Sequence, residues 1–493
     1  MGTAPGGALS SIAAAAFVHA LTSDTLLAHN VSLYAQDTWR ATPRLTVTYG
    51  LRWDINPALK GKSLANQPFT VTGLNNPATL ALAPRGTSLY QTTYGNVAPR
   101  LGVAYQFGAG PNWSTVIRGG FGIFYDLGYG SLGGVSSYFP YHVTKVLPLA
   151  PFPLNPTDAT PPLLTTNPPV GTMLVADRNL KLPRTYEWNV ALEQSLGSNQ
   201  TFSLTYVGAA GRNLLRTTNL LNPNPNFQFV SVTSNTAISD YNALQVKFDR
   251  RLSQGLQVLA SYTWAHSIDI ASTDAVANYL NTPSFTGNPN IDRGDSDFDI
   301  RNAFSAGVTY TVPTPQWNNF ARASLGGWSL DTFVYARSAP PANITGPIMF
   351  VEGTALAYRP DVVPGVPLVL YGSQYPGGKI FNSAAFTAAP SGEQGDLPRN
   401  ALRAFGASQV DFAVQRQFKL TERVALSFRS EFFNIFNHPN FGSPTNDLTS
   451  PLFGYSTQTL ASSLGSGGAN GGLNPLYQIG GPRSVQLALK LQF

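Results

Sequence analysis

The chain has 493 residues, of which 11% are charged and 12% aromatic, with a formal net charge of +6 and no cysteine. Disulfides, thiol catalysis and thiolate metal sites are therefore excluded. A mean hydropathy of −0.05, with no apolar run of about 18 residues, excludes a bundle of transmembrane helices, and the scattered Lys and Arg form no run that marks a nucleic-acid surface.

The first apolar stretch in chain order is SIAAAAFVHAL, residues 11–21. No Lys or Arg precedes it and no clear cleavage site follows, so it reads as a short strand or helix of the fold rather than an export signal. Period-two segments then recur. Residues 31–39 alternate weakly and residues 45–55 cleanly: Leu45, Val47, Tyr49, Leu51, Trp53 and Ile55 share one face, and Thr46, Thr48, Gly50, Arg52 and Asp54 the other. Similar segments lie at 101–107, 117–125, 186–192, 202–206, 244–248, 256–264, 304–312, 328–337, 410–418 and 424–432. The last segment, SVQLALKLQF at 484–493, puts Val485, Leu487, Leu489, Leu491 and Phe493 on one face and Gln486, Ala488, Lys490 and Gln492 on the other. Such a strand in water would invite aggregation. A barrel stave with lipid outside and a wet lumen inside has no such problem, and about ten tilted residues cross the hydrocarbon core.

The connections alternate as well. Short links at 40–44, 108–113, 197–200, 250–255 and 419–423, with a longer one at 313–327, are separated by long links at 56–96, 126–185, 208–241, 267–301, 338–409 and 434–483. Outer-membrane barrels have tight periplasmic turns and long extracellular loops. The fold class is thus all-β, a transmembrane antiparallel up-and-down β-barrel of about 13–14 strands with long extracellular loops. The links at 126–185 and 338–409 are expected to carry little order, and the Gly-rich run at 465–472 to be flexible. Phe493 falls at the periplasmic end, so the first strand enters from outside. Single-chain bacterial barrels have an even strand number, and an odd count that starts outside predicts further N-terminal staves. Residues 1–30 are read as an extracellular loop or an additional strand, and 31–493 as the C-terminal part of a larger barrel, forming an open curved sheet or a forced closure.

Several stretches resemble the Oar-like TonB-dependent outer-membrane transporters. They are YAQDTWRATPRLTVTYGLRWD (34–54), NVAPRLGVAYQF (96–107), VIRGGFGIFYD (116–126), LPRTYEWNVALEQSL (182–196), YNALQVKFDRRLSQGLQVLASYTWAHSID (241–269), RGDSDFDIRNAF (293–304) and LTERVALSFRSEFFNIFNHPNFGSP (420–444), followed by the Phe-terminated last strand. Their order and number carry the likeness, from about residue 31 to the end. The resemblance implies a barrel of roughly 22 strands, preceded in the family by a regulatory-like β-sandwich and a plug; the matching stretches cover the barrel alone. It implies energy-coupled uptake of a large ligand, an oligosaccharide or peptide, with no enzymatic step and no cofactor. The implied location is the outer membrane, and the implied partners are its lipid, the outer-membrane assembly machinery and the TonB complex, the last only through segments N-terminal to those seen here. Phe493, with Leu491, Leu489 and Leu487, resembles the signal that the assembly machinery reads. The alternative is a plugless outer-membrane barrel whose loops bind surface partners; an exported carbohydrate-active enzyme would need a carboxylate pair in a cleft.

Four further groups of residues stand out. Arg429 and Glu431, and likewise Arg52 and Asp54, lie on polar strand faces and read as ion pairs of the lumen wall, with ligand contact as the second reading. Asp292, Asp295, Asp297 and Asp299 crowd one loop; turn capping and pairing with Arg293 or Arg301 account for them, and a calcium loop is the alternative, without the EF-hand order. The histidines at 19, 29, 142, 266 and 438 show no metal-ligand spacing. Trp39, Trp53, Trp188, Trp264 and Tyr310, near strand ends, read as an interfacial girdle.

Overall fold

The alternation becomes register. A computed structural model describes residues 15–493 except 109, 111, 149, 151–152, 273–287, 315–323, 325, 352–353, 391–392 and 464–478. The Gly-rich run at 465–472 and parts of several links therefore lie outside the described residues. Thirteen strands form one path: β1 (Val31–Thr42), β2 (Leu45–Ile55), β3 (Val97–Phe107), β4 (Thr115–Tyr125), β5 (Arg184–Ser195), β6 (Gln200–Asn224), β7 (Phe227–Ser253), β8 (Leu256–Asp269), β9 (Asn302–Thr311), β10 (Trp328–Arg337), β11 (Ala407–Lys419), β12 (Ala425–Phe433) and β13 (Ser484–Gln492). Each pairs antiparallel with its neighbour in sequence, so the sheet is an up-and-down meander. β1 and β13 end the path, and among the described residues no pairing joins them. Ala15–Leu21 is a strand, but its partner is His142–Pro148, in a two-stranded sheet of its own.

Directly opposed residues share a face, so the register shows whether the apolar faces join up. They do. Leu33 opposes Trp53, Trp53 opposes Val97, Phe121 opposes Trp188, and Val190 opposes Tyr206. Leu244 then opposes Trp264, Tyr262 opposes Phe304, Phe412 opposes Phe432, and Leu426 opposes Leu491. All five expected girdle aromatics lie on this face. Leu487 and Leu489 are 70% and 71% exposed, a surface for which acyl chains are the matching solvent. Trp188 fits this face through a glycine: a Cβ on Gly208, directly opposite, would lie 2.2 Å from the indole.

The opposite face is polar. Ser32 meets Asp54, Gly50 meets Arg100, Ser203 meets Lys247, Thr309 meets Asp331, and Gln415 meets Arg429 across neighbouring strands. With few charges in the chain, most of this face is Ser, Thr, Gln, Gly and Ala.

The long links are more ordered than their sequence suggests. The link at 208–241 is largely a continuation of β6 and β7, 25 and 27 residues long, paired out to Asn224 and Phe227 with register shifts near Leu214 and Arg216. Val170–Ala176 adds to β7 in parallel. The expectation of little order at 126–185 and 338–409 is overturned by the apolar residues these links bury. Leu132, Leu174 and Leu180 pack with Leu59 and Leu89 of the 56–96 link and with Leu215 of β6, while Met173, Val175 and Phe139 pack with Phe227 and Val230 of β7. A separate core joins Ile344, Phe381, Phe386, Leu397 and Leu402 to Phe453 of the last long link. Burying such side chains contributes about 1.5–3 kcal/mol each, enough to offset the ordering of several loop residues.

The two-faced register makes a direct prediction. Leu489→Arg, on the apolar face near the middle of β13, costs about 2–4 kcal/mol in a bilayer. Gln486→Arg, on the polar face opposite Glu431, costs far less. Urea unfolding in lipid vesicles measures both, and equal losses would contradict the assignment of faces.

Candidate functional site

Three features of the described residues bear on function: the polar face, the final strand and a charged network among the outer loops. On the polar face, Arg52 Nε donates to Asp54 at 2.9 Å and Arg429 Nη2 lies 2.7 Å from Glu431. Both are i,i+2 pairs along one strand, where side chains share a face. Arg118 and Glu193, on β4 and β5, form a third pair at 3.1 Å. Near the β13 edge the face opens into a groove of about 570 Å³ with Arg429, Lys490, Gln415, Gln417 and Ser427 on its walls. Leu491, Leu489 and Leu487 project on the apolar side, and Phe493, just past the end of the strand, is 96% exposed.

The loop network begins at Asp292, Asp295, Asp297 and Asp299, and it is larger than the loop itself. Asp292, 3% exposed, accepts from Arg216 of β6 at 2.5 Å and from Arg359 at 2.9 Å. Asp299, 1% exposed, accepts from Arg301 at 2.9 Å and Arg403 at 2.7 Å, and caps the Ser267 amide at 2.7 Å. Asp295 is held by Arg301 and by Arg403. Asp297 accepts from Arg399 at 3.3 Å and from Asn400 Nδ2 at 2.7 Å. Arg399, 2% exposed, also clasps Asp269 at the end of β8, and donates to the carbonyls of Asp269 and Asp292, each at 2.8 Å. Of the two partners expected within the loop, Arg301 pairs as expected, whereas Arg293 turns to Asp240 of β7 at 3.2 Å. Gly294 is needed here because a Cβ would sit 2.4 Å from the Arg399 carbonyl. Among the described residues no group of three or more His, Asp or Glu side chains is disposed to hold a metal, and the four carboxylates are committed to guanidinium and amide donors.

Arg216, Asp269, Arg359, Arg399 and Arg403 are the residues that local motif reading misses. Their partners lie far away in sequence: Arg399 and Asp269 are separated by 130 positions. The available signal was that Arg359, Arg399 and Arg403 fall in an apolar, proline-bearing link of a chain that spends few charges anywhere.

Burying several ions costs about as much as their mutual attraction returns, so a network of this kind specifies a geometry more than it adds stability. The geometry specified is a joint. Arg216 sits on β6 next to Leu215 of the core built on the β6–β7 hairpin, Arg359 and Arg399 belong to the 338–409 link, and Asp292 lies between them. Burial alone would raise the Asp295 carboxyl; its contact with His266 and the charges of Arg403 and Arg301 outweigh it and hold the group below its ordinary value. For Asp240, burial is likewise opposed and outweighed by Arg212 and Arg293.

Arg399→Ala leaves Asp269 buried without its cation and is expected to weaken the joint by about 3–5 kcal/mol; adding Asp269→Asn restores part of the loss. Hydrogen exchange of residues 354–390 reads the effect, while exchange in β10 and β11 stays unchanged. The lowered carboxyls give the sign of the pH dependence. Their contribution is fully present above the unfolded Asp value of about 3.9 and is lost as pH falls through their folded values, so loop protection should persist at pH 5 to 8 and fade only in stronger acid.

The family described as "Outer membrane beta barrel domain" matches residues 9–469. No curated protein matches the chain. Among solved structures, the ferripyoverdine receptor of the Pseudomonas aeruginosa outer membrane is 9% identical, with a TM-score of 0.44 over 95% of this chain and 39% of the receptor. The outer membrane transporter YddB of Escherichia coli is 10% identical, with a TM-score of 0.44 over 94% of this chain and 54% of YddB. The copper transporter OprC is 12% identical, with a TM-score of 0.42 over 95% and 48% of the two chains. This chain spans less than two thirds of the length of each of these. A family match over almost the whole chain, on an all-β meander with one apolar and one polar face, places it in the outer membrane beta barrel domain family and in the outer membrane.

Proposed function

We propose that the chain is the C-terminal barrel portion of an Oar-like TonB-dependent transporter that takes up a large ligand, an oligosaccharide or a peptide, across the outer membrane. The observation that carries this reading is the loop assembly: long outer links folded around their own cores and joined by a buried Arg–Asp network, at the rim of a polar sheet face. A passive barrel has little need to order its outer loops in this way, whereas a receptor gains from presenting a preformed surface. The quoted sequence stretches support the family subtype. The odd number of staves on the described path, and the lack of a pairing between β1 and β13 among the described residues, support further staves in the complete barrel, since unpaired strand edges are costly in lipid. On this reading residues 31–493 are barrel, and residues 1–30 belong to an outer loop or a further strand.

The parts have distinct roles. The outer loops capture the ligand. The polar face, with Arg52, Asp54, Arg429 and Glu431, forms the wetted wall along which it passes. Phe493, Leu491, Leu489 and Leu487 present the terminal strand to the assembly machinery. In the transporters that this chain resembles, contact with the TonB complex is made outside the barrel. Transport of this kind makes and breaks no covalent bond, so it calls for neither an enzymatic residue nor a cofactor.

Cells producing the complete gene product that contains this chain are expected to accumulate a fluorescent oligosaccharide or peptide from a mixed panel, and to stop when the inner-membrane proton gradient is collapsed. Surface binding that survives the collapse without any import would instead support the adhesive barrel. Deleting Phe493 is expected to lower the amount of protein recovered in the outer-membrane fraction; unchanged recovery would remove the assembly role from that residue.

A further inference from the structure

We propose that His19, His142 and Thr144 form a binding site for a divalent late first-row metal ion, of the Cu(II) or Zn(II) type. The site lies on the two-stranded ribbon made by Ala15–Leu21 and His142–Pro148, and does not depend on the transporter reading. In that ribbon His19 opposes Thr144, and Leu21 opposes His142. His19 and Thr144 therefore share a face directly across the ribbon, and His142 shares it two residues away along its own strand.

Three heteroatoms converge there. His142 Nε2 lies 2.9 Å from His19 Nδ1, His19 Nδ1 lies 3.2 Å from Thr144 Oγ1, and Thr144 Oγ1 lies 3.3 Å from His142 Nε2. The rings are tilted by 52° with centroids 4.9 Å apart, so they meet through their nitrogens rather than by stacking. Two ligand atoms each about 2.0–2.1 Å from one metal ion are separated by roughly 2.9 Å at a right angle and 3.4 Å at the tetrahedral angle. All three separations fall within that window.

The protonation pattern suits a metal. The other ring nitrogen of His142, Nδ1, lies 2.9 Å from the Ser137 carbonyl, which can only accept a hydrogen bond. Nδ1 therefore carries the proton and Nε2 presents its lone pair to the cluster. A carbonyl that fixes the tautomer in this way is the usual outer partner of a metal-bound imidazole. Without metal, His19 Nδ1–H donates to His142 Nε2. With metal, the His19 proton resides on Nε2, which is free to face water, and Nδ1 becomes a ligand. His19 is exposed, so an ion can reach the site and water can complete its coordination. Imidazole nitrogens select late first-row ions over Ca²⁺ and Mg²⁺, which prefer oxygen. A bound ion would pin residues 15–21 to the 126–185 loop, which the ribbon hydrogen bonds alone hold less firmly.

The test is a Cu(II) titration of the purified full chain in detergent micelles, followed by calorimetry and electron paramagnetic resonance. One saturable equivalent is expected. His19→Ala and His142→Ala should each weaken it by at least about tenfold, the lower end of what loss of an outer partner alone costs, while His29→Ala leaves it unchanged. A wild-type chain with no saturable site, or either of the first two variants binding like wild type, would overturn the proposal. Should a variant lose its native circular dichroism, the wild-type spectrum decides: coupling to two imidazole nitrogens supports the site, and coupling to one or none overturns it.

Discussion

Within a bilayer a backbone amide or carbonyl has no water to turn to, so every strand must find its partners in another strand. That constraint organises most of this structure. It makes each stave pair with the next in sequence, because a short turn is the least demanding way to bring a partner alongside. It holds the register over the full membrane-spanning length, because one residue of slip would turn Leu487, Leu489 and Leu491 inward and Lys490 toward lipid. The same requirement extends the longest hairpin: β6 and β7 go on pairing past the membrane-spanning part, and the protruding ladder becomes the beam on which the loops at 56–96 and 126–185 build their cores.

This explains what was legible in the sequence. Strands such as β2 and β13 were plain because each stave faces two different solvents, so its pattern is written locally. The thirteen segments reappear in the sheet, and so does the alternation of short with long links except at 208–241, where β6 and β7 extend until only two residues separate them. The loop architecture was not legible in the same way. Residues 212–240 carry Asn, Thr, Ser and Pro, a composition that reads as a turn-rich loop; they remain strand because they pair with one another and with Val170–Ala176. Packing partners such as Leu132 and Leu215, far apart in the chain and with no period between them, leave no local trace.

Charge was half legible. Crowding of four aspartates marked the loop, and pairing with Arg301 followed from proximity in sequence. The Arg52–Asp54 and Arg429–Glu431 pairs could be foreseen as neighbours because i,i+2 residues share a face. Arg216, Arg359, Arg399 and Arg403 could not be placed, since the acidic residues nearest to them in sequence, Asp361 beside Arg359 and Asp396 beside Arg399, are not the ones they pair with. Only the fold brings them to Asp269, Asp292, Asp295, Asp297 and Asp299.

Two kinds of contact divide the work above the sheet. Apolar cores hold each loop body together, and being non-directional they tolerate small displacements. The Arg–Asp joint between the bodies is directional: guanidinium forks accept few arrangements of carboxylate and carbonyl, and a displaced Arg399 would leave Asp269 in a dry site with the Ser272 hydroxyl but without its cation. Because the joint is buried, salt screens it little, so the loop bodies keep their relative orientation in the variable medium outside a cell. A surface held in that way starts from one geometry rather than many, and any ligand that fits it avoids the ordering cost that a set of independent loops would impose.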